Sequence, residues 1–573
     1  MNLPDTLLRR HGLFLAVVVV YAAVLITLGP LATNDGPIHL SFADMLGHIG
    51  DADWPLQSQM FMSADTLQPN MATYAILQAL MLVVEPSRAE AILQALCLVS
   101  PAVAAWYTLR KINPDNAWLA LFALPLLANQ LFFLGLYNFL FSLAGFFLAI
   151  GWYLDLRTHP RLWRALLLGV MLVVTLLSHA AGFVMAALAL FALEAVRLLS
   201  DWQAGLRGRA LWATSVCVAL ALCLPLPLMA WFALRQHGYP TEYGPGLHER
   251  VLAMARGKLF RLQSGDNLTL PYALMILMAI TLLTTVYKIW QERHHLLQGK
   301  ATLFTGLGLT LVLFYGFCLI VPDISGGGWT HFLRAELFPM LWALPCAALL
   351  INQQWLRRGL AVVAVGMLVM QFSQTWAVQG EVRQQLTALS AMDKQIGAHC
   401  TVLPVVESSA QYDDKGRPRP VGYQPFLQAT NRLELDQDRV VLFNFLARLS
   451  VYPIRFRPGY DTQELLYHWE PQRKLIDVHQ LDVDRFEQKT GIPVDYVVVW
   501  GEQRANDPVS PPDTRHILSN ASLVYESADQ QVRLYRRNQD MPTMCTSQAS
   551  HIASGSKLQS AAIKDRLRRD QLN

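Results

Sequence analysis

The chain has 573 residues, of which 53% are hydrophobic and only 15% charged, with a formal net charge of +4. A soluble protein carries about 25% charged residues, so an ordinary soluble enzyme is excluded, and the small net charge argues against a nucleic-acid partner. Residues 13–378 alternate long apolar runs with short charged loops, whereas the stretch after Gly380 has the texture of a globular domain.

A hydrocarbon core of about 30 Å needs roughly 20 apolar residues per spanning helix. The first candidate, 13–31, is long for a removed signal peptide and lacks a good small-residue cleavage site, so it reads as a span. Further candidates lie near 91–109, 117–131, 139–154, 165–177, 182–195, 210–234, 270–286, 303–321, 337–351 and 360–376. Pro225 and Pro227 interrupt one of them. Basic loop residues stay cytoplasmic. Arg9 and Arg10 precede the first span, and basic clusters recur at 110–111, 157–164, 197–209, 288–300 and 357–358.

These clusters fall on one side only if 71–84 does not cross. That segment follows Pro69, is about 14 residues long, and suits a helix lying in the interface. The alternative, in which it crosses, puts Arg110, Lys111 and the 157–164 cluster on the wrong side. The expected architecture is a polytopic α-helical membrane protein of about 11 transmembrane helices with a C-terminal soluble α/β domain. Its transmembrane module covers 1–379 with outer loops at 32–87, 235–269 and 322–335, its soluble domain 380–547, and a disordered polar tail 548–573. The charge bias places the N-terminus in the cytoplasm and the soluble domain in the periplasm of a bacterial-type inner membrane.

Five of the seven cysteines lie in or near spans, and the other two, Cys400 and Cys545, bracket the soluble domain. In an oxidising compartment a disulfide between them closes a long loop and stabilises the domain; two unrelated buried thiols are the alternative. β-prone runs recur at 401–406, 440–445, 496–500, 522–525 and 532–535, with helical patterns at 462–468 and 483–490, which predicts a small sheet with helices. The domain has no Gly-rich phosphate loop, metal-ligand cluster or nucleophile elbow in its sequence.

Ionisable groups beside a bilayer are functional candidates because charge is costly there. The first outer loop opens with Asn34, Asp35, Gly36, Pro37, Ile38 and His39. Asn34 or Asp35 can cap a helix whose first turn holds Pro37, and the helix dipole favours an ionised carboxylate there. His39 follows four residues later on the same side. A carboxylate so held can act as a general base or bind a divalent cation with His39 beside it; the plainer reading is that Asp35 only caps.

Other outer candidates are His179 and the 235–267 loop with His237, Glu242, Tyr243, His248, Glu249, Arg250, Arg256, Lys258 and Arg261. Beyond them come Asp323, a triple glycine at 326–328, His331, Arg334 and Glu336. Arg256, Lys258, Arg261 and Arg334, with His331, are placed to hold a phosphate or diphosphate at the membrane surface. Taken singly, each also reads as a solvated loop charge.

In this order the features resemble the GT-C superfamily of membrane glycosyltransferases, which use polyprenyl-phosphate-linked sugars. The resemblance rests on Asn34-Asp35-Gly36-Pro37-Ile38-His39 after the first span, on the Pro-initiated stretch Pro69-Asn70-Met71-Ala72-Thr73-Tyr74, on the many spans and on the outer C-terminal domain. It implies that Asp35 is the base toward the acceptor and that Arg256, Lys258, Arg261 or Arg334 holds the donor phosphate. Two departures matter. Residues 129–135 hold no carboxylate where relatives carry a second acidic motif, which puts a two-carboxylate or strongly metal-dependent site in doubt and leaves a divalent ion at Asp35 and His39 open. The Trp-Trp-Asp signature of oligosaccharyltransferases is absent, which argues against en bloc N-glycosylation. The implied partners are a polyprenyl-phosphate-linked sugar, an envelope glycan, lipid or protein acceptor, and the bilayer. A transporter or flippase, or a non-catalytic assembly protein for lipid-linked glycans, are the rival classes.

Overall fold

The computed structural model describes residues 3–64, 67–235, 241–244, 246–260, 269–291, 297, 300–325, 331–407, 423–467, 481–502, 514–538 and 541–546, with side chains from residue 11 onward except at 300, 427, 514 and 515. Eight helices among them are long and apolar enough to cross a bilayer: His11–Leu28, Pro86–Ile112, Tyr137–Leu156, Ala180–Gln203, Thr269–Gln291, Ala301–Ile320, His331–Leu350 and Gln354–Asp393. Gly208–Leu222 and Pro225–Arg235 add a ninth as a pair bent by 42°, with the break where the sequence places its two prolines.

Two of the about eleven expected spans are not long helices. Leu162–Ser178 has 17 residues, about 26 Å at the α-helical rise and just short of the core thickness. The expected 117–131 span is a 3₁₀ helix, Pro114–Phe122, running into a short α-helix, Ala123–Leu127. The 3₁₀ rise is longer, about 2.0 Å per residue, so this compact stretch still covers most of a bilayer. Polar contacts tie the helices together at both ends of the bundle. At one end Asn116 donates to the Ala348 and Ile351 carbonyls and Lys111 pairs with Asp155. At the other, Arg88 donates to the Ile26 carbonyl, Arg383 to that of Leu28, and Asn70 N–H to that of Ser178.

Apolar side chains gain nothing from leaving lipid for each other, so the helices rely on close packing and polar contacts. Gly145 lies against Thr175, Gly151 against Tyr107 and Gly182 against Ser142, each too close for a side chain. At the end away from the sheet domain, Arg197 pairs with Glu194 at 2.6 Å, and Glu194 also accepts from Tyr153 at 2.8 Å and Ser215 at 2.6 Å. The 71–84 segment forms one helix, Ala72–Met81, of ten residues, which is about 15 Å and too short to cross.

The last span continues unbroken to Leu386, so the change of composition at 380 falls inside a helix. The sheet beyond it contains strands β2 (Thr401–Val406), β3 (Val440–Val441), β5 (Tyr496–Trp500), β6 (Ala521–Glu526) and β7 (Val532–Arg537), in the order β3-β2-β5-β7-β6. β2 runs parallel to β3 and β5, and β7 antiparallel to β5 and β6. The run expected at 440–445 is cut short, because Asn444 turns its amide back to Glu434 at 2.8 Å and to the Val441 carbonyl at 2.9 Å. A disulfide joins Cys400 to Cys545, closing 145 residues. Asp495 lies beside both sulfurs, but it accepts from Thr401 N–H at 2.9 Å and the Thr543 hydroxyl at 2.7 Å. Bonded sulfurs are not thiolate ligands, so this cluster is a covalent and hydrogen-bonded closure of the sheet and not a metal site. The expected helix 462–468 is observed as Thr462–Leu465, and the 548–573 tail lies outside the described residues.

This domain is docked on the end of the helices that carries the first loop. β1 (Phe61–Ser63), from the first loop, pairs antiparallel with β4 (Ile454–Phe456), from the domain. Asp438 accepts from the Leu56 and Gln57 amides at 3.0 and 2.8 Å, and Glu434 accepts from the Ser41 hydroxyl. Glu90, fully buried in the helix Pro86–Ile112, is paired with Arg432 of the domain. Removing one partner of a buried pair strands the other charge, at about 3–5 kcal/mol. Arg432→Ala is therefore expected to lower Tm in detergent sharply, and the double variant with Glu90→Gln to recover most of the loss.

Candidate active site

Leu31 to Asp35 crosses from the first span into the helix Gly36–His48, and four of its five residues have paired backbone groups. Gln94 bonds both the N–H and the carbonyl of Leu31, at 2.8 and 3.0 Å. Gln379, on the last span, does the same for Ala32, at 2.7 and 3.1 Å. The Thr33 hydroxyl meets that of Tyr137 at 2.8 Å, and the Asn34 and Asp35 amides donate to the Phe133 and Leu134 carbonyls at 2.9 and 3.2 Å. Gly135 makes the last contact possible: its φ is +82°, and a Cβ there would lie 2.8 Å from Asp35 N.

Asp35 occupies the N-cap position but makes no side-chain cap, so capping, the plainer reading of this residue, is not what its carboxylate does. It is buried and faces inward, and burial pushes its pKa up to about 7, opposed by a hydrogen bond from Gln428 and by the charge of Arg334. Arg334 opens the helix His331–Leu350 and is buried with its Nε lacking a hydrogen-bond partner. One of its other N–H groups donates to His331 Nδ1 at 3.3 Å, and His331 Nε2 then donates to the Ser325 carbonyl at 3.1 Å. Tyr452, from the sheet domain, lies within electrostatic reach of both Asp35 and Arg334. His179, at the start of Ala180–Gln203, faces Arg334 and His331. Deeper in the same helix as Arg334, both Glu336 carboxylate oxygens are buried without a partner, with Lys258 the cation that reaches them.

His39 does not join Asp35. Its Nε2 lies 3.1 Å from the Gly135 carbonyl, which can only accept, so Nε2 carries the proton and Nδ1 accepts from Tyr74 at 2.8 Å. Burial lowers its pKa to about 4. With both nitrogens committed, it neither accepts a proton from substrate nor binds a metal, and it instead braces the 129–135 loop behind Asp35. Nor do the residues around Asp35 fit a divalent ion: a guanidinium faces the carboxylate, and among the described residues no group of three ligands includes it. Arg256 and Lys258 are exposed at the rim, on the segment anchored by buried Leu259 and Phe260, and Arg261 lies outside the described residues.

Gln428 and Tyr452 had no signal in the sequence, since they reach the site only through folding of a distant domain. Gln94 and Gln379 did carry one, because a glutamine amide within an apolar span needs a partner.

The fold has counterparts among solved structures of membrane proteins. ArnT from Cupriavidus metallidurans, crystallised with undecaprenyl phosphate, is 14% identical over 93% of this chain and 99% of its own, with a TM-score of 0.53. The same protein in the apo state gives 14% identity, 92% and 97% coverage, and again 0.53. The oligosaccharyltransferase of Archaeoglobus fulgidus in complex with Zn and sulfate is 14% identical over 92% of this chain and 74% of its own, with a TM-score of 0.47. No family profile and no curated protein matches the sequence.

A carboxyl whose folded pKa is raised holds its proton more tightly in the native state, so stability is greatest below the unfolded pKa near 3.8 and falls as pH rises toward about 7. Asp35→Asn removes that penalty. It is expected to raise Tm over wild type at pH 8 and to give no gain at pH 4, measured by differential scanning fluorimetry.

Proposed function

We propose that the chain is a GT-C-type glycosyltransferase that moves a sugar from a polyprenyl-phosphate donor to an acceptor on the extracytoplasmic face. The observation that carries this is the buried opposition of Asp35 and Arg334. The first is an acid poised near neutrality and the second a cation with an open N–H, and the histidines nearest them are already committed to hydrogen bonds. Asp35 takes the proton from the acceptor as that atom bonds the anomeric carbon. The bond from the anomeric carbon to the phosphate oxygen breaks, and its electron pair leaves with the phosphate, whose charge Arg334 neutralises. His331 holds Arg334 in place, and Arg256 and Lys258 at the rim add positive potential along the approach, with Arg261 assigned there by sequence.

Two further points support the reading. ArnT, of the same fold, was crystallised with an undecaprenyl phosphate, a ligand that needs a bilayer-facing route to a cationic site. The basic residues Arg110, Lys111, Arg157, Arg164 and Arg357 cluster at the helix ends opposite Asp35, which favours an outer location for the site under the charge rule. The sheet domain is then periplasmic, where its disulfide is stable.

The test is transfer from a panel of labelled polyprenyl-phosphate sugars in membranes. Asp35→Asn is expected to lower turnover about 10²–10⁴-fold while the protein stays folded; normal turnover by this variant would refute the assignment. As a base works only when deprotonated, wild-type kcat/KM should rise with pH through about 7 and level off above it. Arg334→Gln should lower kcat and move that rise to higher pH, because the charge of Arg334 holds the Asp35 pKa down.

A further inference from the structure

The assignment of Asp35 as base leaves the acceptor undefined, and Gln428 narrows it; the inference here rests on that assignment. Gln428 lies in the short helix Pro425–Ala429 of the sheet domain and is 6% exposed. Its side chain hydrogen-bonds Asp35. An ionised carboxylate only accepts, so the amide nitrogen faces Asp35 and the amide oxygen points away. That oxygen is buried and has no hydrogen-bond partner. A buried acceptor left unmet is unfavourable in a folded protein and marks the place of a missing donor.

An anionic and a neutral acceptor are therefore neighbours in the site, with Arg334 within electrostatic reach of the first. Tyr74 and Tyr452 lie within electrostatic reach of Asp35, and the His39 centroid is 5.4 Å from that of Tyr74 and 6.1 Å from that of Tyr452. We propose that the acceptor is a sugar presenting two neighbouring hydroxyls, one donating to Asp35 and losing its proton in transfer, the other donating to Gln428 Oε1. A phosphate acceptor is disfavoured, because its oxygens are anionic and would meet a carboxylate and an amide oxygen with no proton between them. A sugar ring has both the paired donors and an apolar C–H face to set against Tyr452. The domain then has a function in the site: it supplies the residue that recognises the second hydroxyl.

The test is binding to the full-length protein in nanodiscs with no donor present, followed by NMR titration. The probes are butyl hexopyranosides, their monodeoxy analogues, an asparagine-containing peptide and hexyl phosphate. At least one glycoside is expected to bind, and deletion of either hydroxyl of one vicinal pair to weaken it roughly ten-fold. Gln428→Leu should abolish the discrimination at one of those two hydroxyls, with Tm close to wild type; the deoxy series on wild-type protein tests the same point should this variant misfold. Equal binding of parent and deoxy sugars, no binding by any glycoside, preference for the peptide or hexyl phosphate, or discrimination that survives Gln428→Leu would each overturn the proposal. Because no donor is used, these outcomes are separate from the transfer assay. Asp35-dependent transfer together with lost hydroxyl discrimination removes the acceptor assignment alone.

Discussion

Everything at the site depends on satisfying the backbone of five residues, Leu31 to Asp35, where the chain leaves the first span. Non-helical backbone at membrane depth is tolerated only if its polar groups find partners in the protein. Here two glutamine amides do so for Leu31 and Ala32, each meeting the N–H and the carbonyl of a single residue as a neighbouring strand would, and the Phe133 and Leu134 carbonyls accept from the Asn34 and Asp35 amides. One comes from the second long helix and the other from the last, so the loop is held by residues 63 and 347 positions away in sequence. The consequence for chemistry is that Asp35 is fixed by its main chain, which leaves its carboxylate available.

The same economy accounts for the neighbours. His39 and Gly135 lock the loop behind Asp35, Glu90 ties the helix beneath it to Arg432, and Glu434 ties the helix that follows it to the sheet domain through Ser41. Glu434 is itself buried, which pushes its pKa up to about 7, and it is held by hydrogen bonds from Ser41, Val441, Asn444 and Asn431. Most charged and polar groups around the site thus have structural partners inside the fold. Arg334, Glu336 and the Gln428 oxygen stand apart because part of each is buried without one. The domain is therefore more than an appendage: its Gln428 and Tyr452 complete a wall that the helices do not close.

A large share of the architecture was legible in the sequence because hydropathy, charge bias and short motifs are local. A length of about 14 residues and a preceding proline were enough to read 71–84 as too short to cross, and the helix it forms has ten residues. The cysteine pair was expected from position alone. Local rules failed where geometry is settled by a partner. The 117–131 run has the composition of a span, yet it becomes a 3₁₀ segment followed by a short helix, a choice no hydropathy window registers. His39 was placed beside Asp35 by helical spacing, but its ring turns to Tyr74 and Gly135 instead.

The sequence by itself determined that this is a membrane protein with a soluble C-terminal part, and that Asp35 stands at the mouth of the first span. It did so because lipid imposes constraints of length, apolarity and charge that are readable one segment at a time. Only the tertiary structure decided which cation faces Asp35, that His39 is a brace, and that the sheet domain reaches into the site. Those outcomes follow from burial and hydrogen-bond completion among residues hundreds of positions apart, and such pairings exist only once the chain has folded.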